Sequence, residues 1–309
     1  MKSLIIGGGQ LGQALHRAIG ADTTIATGVP WDNPIAAQSH LRDLAAGFMA
    51  SCDGQPWFVC WSAGTGVVGT PESALVAERQ ALATLTTGLS SAPAFDAQHG
   101  RFFLASSAGG IYASGDGSAK TEHSVPQPTS DYGRSKLAQD QALQQWADEH
   151  GVSTLIGRIS NLYGPRQDIR KAQGFISHLC RAMANRTLFT LTVPVSTIRD
   201  FVFTDDVASR VASWATKPDE ERRGTDIKLL ASGRSVTLGH VIAMTRAISR
   251  TPARVLLASR PAPSEQPAAL RFQSRVLTGL DHAHPARPLE DGIQETWQNT
   301  LLGLQVTRA

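Results

Sequence analysis

The chain is poor in the residues that mark specialised protein classes. It has three cysteines, Cys52, Cys60 and Cys180, an odd number without metal-ligand spacing. That excludes a disulfide framework, implies no metal site and fits reduced thiols in a cytoplasmic protein. Lys and Arg total 29 against 26 Asp and Glu, for a net charge of +3, and the basic residues form no run. No nucleic-acid partner is expected from such a pattern. No stretch reaches the ~18 apolar residues of a membrane span, so no membrane partner is expected either. The opening MKSLIIGGGQ stops at glycines without a signal-peptide cleavage pattern, and the expectation is a soluble, cytoplasmic protein.

What the chain does have is glycine, 28 residues of it, often at the ends of short apolar runs. A length of 309 residues suits either a large α/β domain or one such domain plus a smaller lobe. Ser3-Leu4-Ile5-Ile6 reads as a buried strand, followed by Gly7-Gly8-Gly9-Gln10-Leu11-Gly12 and then Leu15, Ala18 and Ile19 at helical spacing. Strand, glycine turn and helix in this order predict a dinucleotide site. Gly7 and Gly9 permit a tight turn and close approach of a pyrophosphate, Gln10 and Leu11 open the helix that faces the phosphates, and Gly12 lets that helix pack on the strand.

Thr23 to Thr27 predicts a second strand, whose end normally carries an acid for the ribose hydroxyls or an arginine for a 2′-phosphate. Here it ends in Thr27-Gly28, and the nearest acid, Asp32, stands in Pro-Trp-Asp-Asn-Pro, where it reads equally as a loop residue. NAD and NADP both stay open, with NAD slightly favoured. Leu41-Arg42-Asp43-Leu44 suits a strand end, with Asp43 and Leu44 at the adenine edge, ahead of a short helix to Met49; a helix-capping Asp43 is the alternative.

Trp57 to Trp61 is a continuous apolar run suited to a strand covered on both faces, and Ser62-Ala63-Gly64 after it would line the cofactor crevice. Leu75, Leu82, Leu85 and Leu89 mark an amphipathic helix after Pro71. Arg101 to Ala105 predicts another buried strand, ending in Ser106-Ser107-Ala108-Gly109-Gly110-Ile111-Tyr112, so that a hydroxyl sits at the mouth of the sheet.

Tyr132-Gly-Arg-Ser-Lys136 then places a phenol and an ammonium four residues apart at a helix start, on one face. A nearby ammonium favours a phenolate, which can exchange a proton with a sugar hydroxyl or carbonyl. Ala138, Ala142, Leu143, Trp146 and Ala147 would pack this helix, and His150-Gly151 would close it. Val152 to Ile159 predicts a strand leading into a turn, Ser160 to Pro165. Helices follow at Phe175 to Ala184, after a capping Asp205, at Leu238 to Ile248 and from Pro288. Strands fall at Thr197 to Phe203, Asp226 to Ala231 and Ala253 to Ala258, and Arg260 to Pro267 reads as a proline-rich loop.

In order along the chain, GGGQLG, SAG, SSAGGIY, YGRSK, RISNLYGP, RDFVFTDDVA and PLEDGI resemble the extended short-chain dehydrogenase/reductase family, and within it the NAD-dependent epimerase/dehydratases acting on nucleotide sugars. The resemblance implies an α/β fold, a doubly wound, mostly parallel Rossmann-type sheet. Residues 1–165 and a returning segment about 196–231 would form it, and a smaller, sequence-discontinuous substrate lobe would come from 166–195 and 232–309. It further implies Tyr132 as the acid-base group, Lys136 on the nicotinamide ribose, and Ser107 on the reacting oxygen with Ser106 as its close rival. Asn161 and Arg199 would contact the substrate diphosphate, a surface ion pair being the other reading of Arg199.

Ala108-Gly109 stands where related dehydratases carry Asp-Glu, which disfavours dehydration. Ala108 and Phe175 stand near the Cys and His positions of GDP-fucose-synthase-like enzymes, which disfavours their epimerisation chemistry. Three readings are left: an NAD(P)-dependent nucleotide-sugar epimerase, an NADPH-dependent keto-sugar or other carbonyl reductase, and a non-catalytic NAD(P)-sensing protein. Relatives also commonly form homodimers through two helices, here the ones beginning near Ser73 and Ser135.

Overall fold

The computed structural model describes residues 1–113, 117–171, 173–218, 224–258 and 267–308; most of the proline-rich loop read at Arg260 to Pro267 therefore lies outside the described residues. Short apolar runs alternate with helices from the start: β1 (Lys2–Ile6), α1 (Gln10–Ile19), β2 (Thr23–Ala26), α2 (Pro34–Cys52), β3 (Trp57–Trp61), α3 (Glu72–Ser90), β4 (Gly100–Ser107) and the brief α4 (Ala108–Ile111). A two-residue β5 (Ala119–Lys120) precedes α5 (Asp131–His150), β6 (Ser153–Ile159), β7 (Asn161–Tyr163), α6 (Phe175–Ala184) and β8 (Phe189–Leu191). Then come β9 (Ile198–Phe203), α7 (Thr204–Ala215), β10 (Thr225–Leu230), β11 (Ser235–Thr237), α8 (Leu238–Ser249), β12 (Val255–Leu257), β13 (Arg271–Phe272), α9 (Thr278–Ala283) and α10 (Leu289–Arg308).

Six strands form one sheet in the order β2-β1-β3-β4-β6-β10, and every neighbouring pair is parallel. The chain winds from β1 to β2 in one direction and from β3 outward in the other, so the order reverses between β1 and β3. Such a reversal opens a crevice at the carboxyl ends of the strands. The returning strand is β10, added at the edge beside β6. This is the doubly wound α/β architecture that the alternation of apolar runs and helical periods predicts.

All five residues of β3 are buried because the sheet is covered on both faces. On one face Trp57, Val59, Trp61, Phe102 and Leu104 pack with Leu41, Leu85 and Trp146 from α2, α3 and α5. On the other, Phe58, Cys60 and Phe103 meet Leu15 of α1 and Val211 and Trp214 of α7. A separate cluster joins Phe201 and Phe203 of β9 to Leu179, Val241 and Ile293 of α6, α8 and α10. The smaller sheets are β11-β9-β7, β12-β8 and β13-β5.

Four local expectations are corrected. Leu41-Arg42-Asp43-Leu44 is helical, because α2 runs unbroken from Pro34 to Cys52 and Asn33 Oδ1 caps it by accepting from Ala36 N at 3.2 Å. Ala37, Leu41, Ala45, Met49 and Cys52 recur at helical spacing and are all buried, and that long apolar stripe overrides the four-residue strand pattern. Asp43 is therefore an exposed mid-helix residue and neither a strand end nor a cap. Ser160 to Pro165 is not all turn, since Asn161–Tyr163 forms β7 and pairs with β9. Ala142 lies on the exposed side of α5, where a side chain of one methyl gains or loses little. Asp205 does not cap α7; it pairs with Arg17 Nη2 at 2.8 Å and ties α7 to α1.

Candidate active site

β1 ends in a turn that demands glycine. Gly7 has φ of 104°, and a Cβ there would lie 2.5 Å from Ala63 N. A Cβ on Gly12 would lie 1.9 Å from Gly7 O and 3.0 Å from Ser62 Oγ, so α1 rests directly on the turn. Ser62 closes the arrangement from β3, its N donating to Ile6 O at 2.8 Å and its Oγ to Gly7 O at 2.9 Å. Gly9 is different: a Cβ there would meet nothing within 4 Å. No internal contact requires glycine at this point, and the N-cap of α1 makes no side-chain hydrogen bond. Open approach to the uncapped N-terminus of a helix suits a phosphate group, so the turn fits a dinucleotide.

The loop after β3 is fixed from α3. Glu78 Oε1 accepts from Thr65 N at 2.7 Å and from Gly66 N at 2.8 Å, which holds Ala63 and Gly64 along the cleft wall.

Tyr132 arrives by a second close backbone approach. Ser130 caps α5, its Oγ accepting from Gly133 N at 3.2 Å. A Cβ on Gly133 would lie 2.2 Å from Gly110 O, and one on Gly110 would lie 3.0 Å from the Tyr132 ring. The phenol is thereby laid on the turn that follows β4. One helical turn on, Lys136 Nζ stands 6.0 Å from the centre of the Tyr132 ring and donates to Gln139 Oε1 at 3.0 Å.

The two serines differ. Ser107 Oγ accepts from Gly110 N at 3.2 Å at the start of α4. Side chains alternate along β4, and the Ser106 hydroxyl is buried on the other side, beside Asp140. Neither Ser106 Oγ nor Asp140 Oδ1 completes a hydrogen bond of ordinary length, although the hydroxyl is near enough to favour the carboxylate.

Gly9, Gln10, Leu11, Ala63, Gly64, Ser106, Ser107, Tyr132, Lys136, Asn161 and Arg199 all line one cleft of about 1050 Å³. Gly7 and Gly12 shape its floor from beneath without lining it, and Asp43 and Leu44 do not reach it. Asn161 Nδ2 donates to Asp200 O at 2.8 Å. Arg199 Nη1 donates to Ile198 O at 2.8 Å and Pro267 O at 2.9 Å, and burial pushes the guanidinium down to about 10. Among the described residues no carboxylate pairs with Arg199.

Several cleft residues escaped sequence reasoning. Lys171, His178 and Arg181 line the far side with Gln167 and Phe175. His178 Nε2 donates to Lys171 O at 2.8 Å. With Arg199 and Lys136, Lys171 and Arg181 outnumber Asp168, the one acid among the described lining residues, and give the cleft a net positive lining; the density of basic residues between Arg166 and Arg181 was the available signal. Glu78 and Asp200 left no such signal, because a lone acid on a helix or strand reads as a solvated charge. Asp200 is fully buried and accepts from Ser160 Oγ at 2.6 Å, Ser232 N at 2.9 Å and Ser232 Oγ at 2.8 Å.

Residues 3–229 match the NAD dependent epimerase/dehydratase family. The chain is 33% identical over 103 residues to a dTDP-L-rhamnose 4-epimerase of Burkholderia thailandensis, covering 33% of this chain and 28% of the relative. It is 31% identical over 108 residues to a putative UDP-glucose 4-epimerase of Methanocaldococcus jannaschii, covering 35% of each. The alignments thus span about a third of these relatives. Among solved structures, the fold resembles the UDP-glucose 4-epimerase of Thermus thermophilus in complex with NAD, with TM-score 0.77 at 20% identity over 97% of this chain and 99% of that one. It also resembles the Thermotoga maritima UDP-glucose 4-epimerase with UDP-glucose, with TM-score 0.79 at 18% identity over 98% of this chain and 100% of that one.

Proposed function

Because the chain belongs to the NAD dependent epimerase/dehydratase family, we propose that it is an NAD(P)-dependent nucleotide-sugar epimerase. One observation carries the reading: the glycine turn, the Tyr132–Lys136 pair and a cluster of basic side chains line a single cleft. Gly9, Gln10 and Leu11 would hold the pyrophosphate of the dinucleotide, Ala63 and Gly64 its nearer wall, and Lys136 its ribose. No arginine or lysine stands between Thr27 and Asn33 to take a 2′-phosphate, which favours NAD.

The bound nicotinamide supplies a hydride acceptor that later serves as the donor. Tyr132 takes the proton of the sugar hydroxyl and returns it to the same oxygen after the sugar has turned its other face. The Lys136 ammonium stabilises the phenolate that this requires. Ser107 bonds the reacting oxygen, and its rival is set aside because the Ser106 hydroxyl is buried against Asp140. Arg199, already braced by two carbonyls, offers its remaining donors to the diphosphate, so that the nucleotide stays anchored while the sugar rotates.

The sugar lies against the lobe of 166–195 and 232–309 in this reading, and two chains associate through α3 and α5. Among the described residues no helix is long and apolar enough to cross a membrane; the cytoplasm is the location this reading assigns.

The test is mass spectrometry of the purified protein for retained dinucleotide, then a nucleotide-sugar panel with and without added NADPH. Retained NAD and interconversion of two epimers without added cofactor support the epimerase. Turnover only with freely exchanging NADPH supports the reductase instead. Binding of dinucleotide with no turnover, unaffected by Tyr132→Phe, returns the protein to a sensing role.

A further inference from the structure

Behind the Tyr132–Lys136 pair lies a buried ion pair that the chemistry above does not use. Arg158 Nε donates to Asp140 Oδ2 at 2.9 Å, with the two side chains 4% and 2% exposed. Arg158 Nη1 donates onward to the Tyr112 hydroxyl, and its guanidinium lies 5.3 Å from the centre of that ring. Asp140 stands one helical turn beyond Lys136 on α5, and both are buried. Buried charges so close to one another interact far more strongly than surface pairs.

We propose that Asp140 is a positioning residue, which through its ion pair with Arg158 sets the net charge felt by Lys136 and so the ionisation of the Tyr132 phenol. The inference rests on the acid-base role given to Tyr132 above. Counting charges in the buried patch shows how it acts. Lys136 and Arg158 are cations and Asp140 is an anion, so these three together contribute one net positive charge beside the phenol. Without Asp140 the three sites would contribute two, and with Asp140 but without Arg158 they would contribute none.

Of the other elements packed here, α3 adds one more cation, which is present in every variant compared below and so cancels from the differences. β4 contributes Ser106, and α3 contributes Arg79, whose Nη1 donates to Ser135 Oγ at 3.0 Å. β10 contributes Leu229, which packs with Tyr112. Glu122 acts on Tyr112 from the far side. Burial raises Asp140, while Arg158, Ser106 and Lys136 oppose that rise, as the geometry requires.

The test needs no substrate, so it stands or fails separately from the epimerase reading. Tyrosinate absorbance is titrated in the full-length protein and in Tyr132→Phe, and the difference belongs to Tyr132. The same subtraction is repeated on an Asp140→Asn background, an Asp140→Glu background and an Arg158→Gln background, each checked for folding by circular dichroism. The account predicts that Asp140→Asn lowers the Tyr132 midpoint by about one pH unit. Asp140→Glu should leave the midpoint near the parent value, and Arg158→Gln should move it upward. A folded Asp140→Asn protein with the parent midpoint overturns the proposal. If that variant does not fold, Arg158→Gln decides, and an unmoved or lowered midpoint overturns it equally. Opposite shifts from the two partners are what a merely structural ion pair cannot produce.

Discussion

A Cβ on Gly12 would come within 1.9 Å of the Gly7 carbonyl oxygen, whereas a Cβ on Gly9, three residues earlier, would touch nothing within 4 Å. Two glycines of one motif therefore serve different ends. Gly12 is required by the protein's own packing, whereas no internal contact requires glycine at position 9, which fits the phosphate-binding role proposed for it. Gly12→Ala should destabilise the fold by about 3 kcal/mol or more, since backbone cannot yield as a flexible side chain does. Gly9→Ala should melt within a few degrees of the parent yet lose retained dinucleotide. Thermal melts paired with mass spectrometry of bound cofactor separate the two.

The serines give a second contrast. Ser107→Ala should slow turnover by about tenfold to a hundredfold, the loss of one hydrogen bond to the reacting oxygen. Ser106→Ala should leave turnover within about threefold of the parent, because its hydroxyl is buried and loses no partner of ordinary length. Steady-state rates on the best substrate of the panel decide, and the reverse order would exchange the two roles.

Arg199 is braced rather than mobile, so its loss should be felt in binding. Arg199→Ala should raise the KM for the nucleotide sugar by about tenfold to a hundredfold, as expected for a charge-assisted bond to a diphosphate. kcat should fall far less. Dinucleotide retention should not change, which a direct binding measurement can check.

Glu122 supplies a pH dependence. Burial, the largest influence, raises its carboxyl, but hydrogen bonds from Ser274 Oγ, Leu229 N and Arg275 N together outweigh burial and hold it below its ordinary 4.5. A carboxyl depressed in the folded state contributes stability that is present above its unfolded pKa and is lost as pH falls through the folded one. Thermal stability of the parent should therefore decline below about pH 4.5, more steeply than that of Glu122→Gln, and the two curves should converge in acid. Parallel curves would show that Glu122 does not clamp the segment around Ser274 to the sheet.

Much of this was legible in the sequence because the fold repeats a local signal. Each apolar run of β1, β3, β4 and β6 is followed by small residues, and glycine stands where backbone meets backbone. Asp43 misled because four residues of strand-like pattern sat inside a nineteen-residue amphipathic helix, whose longer period wins. Ser106 and Ser107 look alike in the sequence, and it takes the alternation of β4 to show that the Ser106 hydroxyl is buried beside Asp140. The Asp140–Arg158 pair was illegible for another reason: its members are 18 residues apart on different elements, and nothing local distinguishes such a pair from two solvated charges.

The most direct measurement follows a nucleotide sugar deuterated at the carbon that changes configuration. The account predicts that the product epimer keeps its deuterium without added cofactor, and that Tyr132→Phe slows the conversion by about a hundredfold or more while still retaining dinucleotide. Deuterium washed out into solvent, or a Tyr132→Phe protein as fast as the parent, would contradict it.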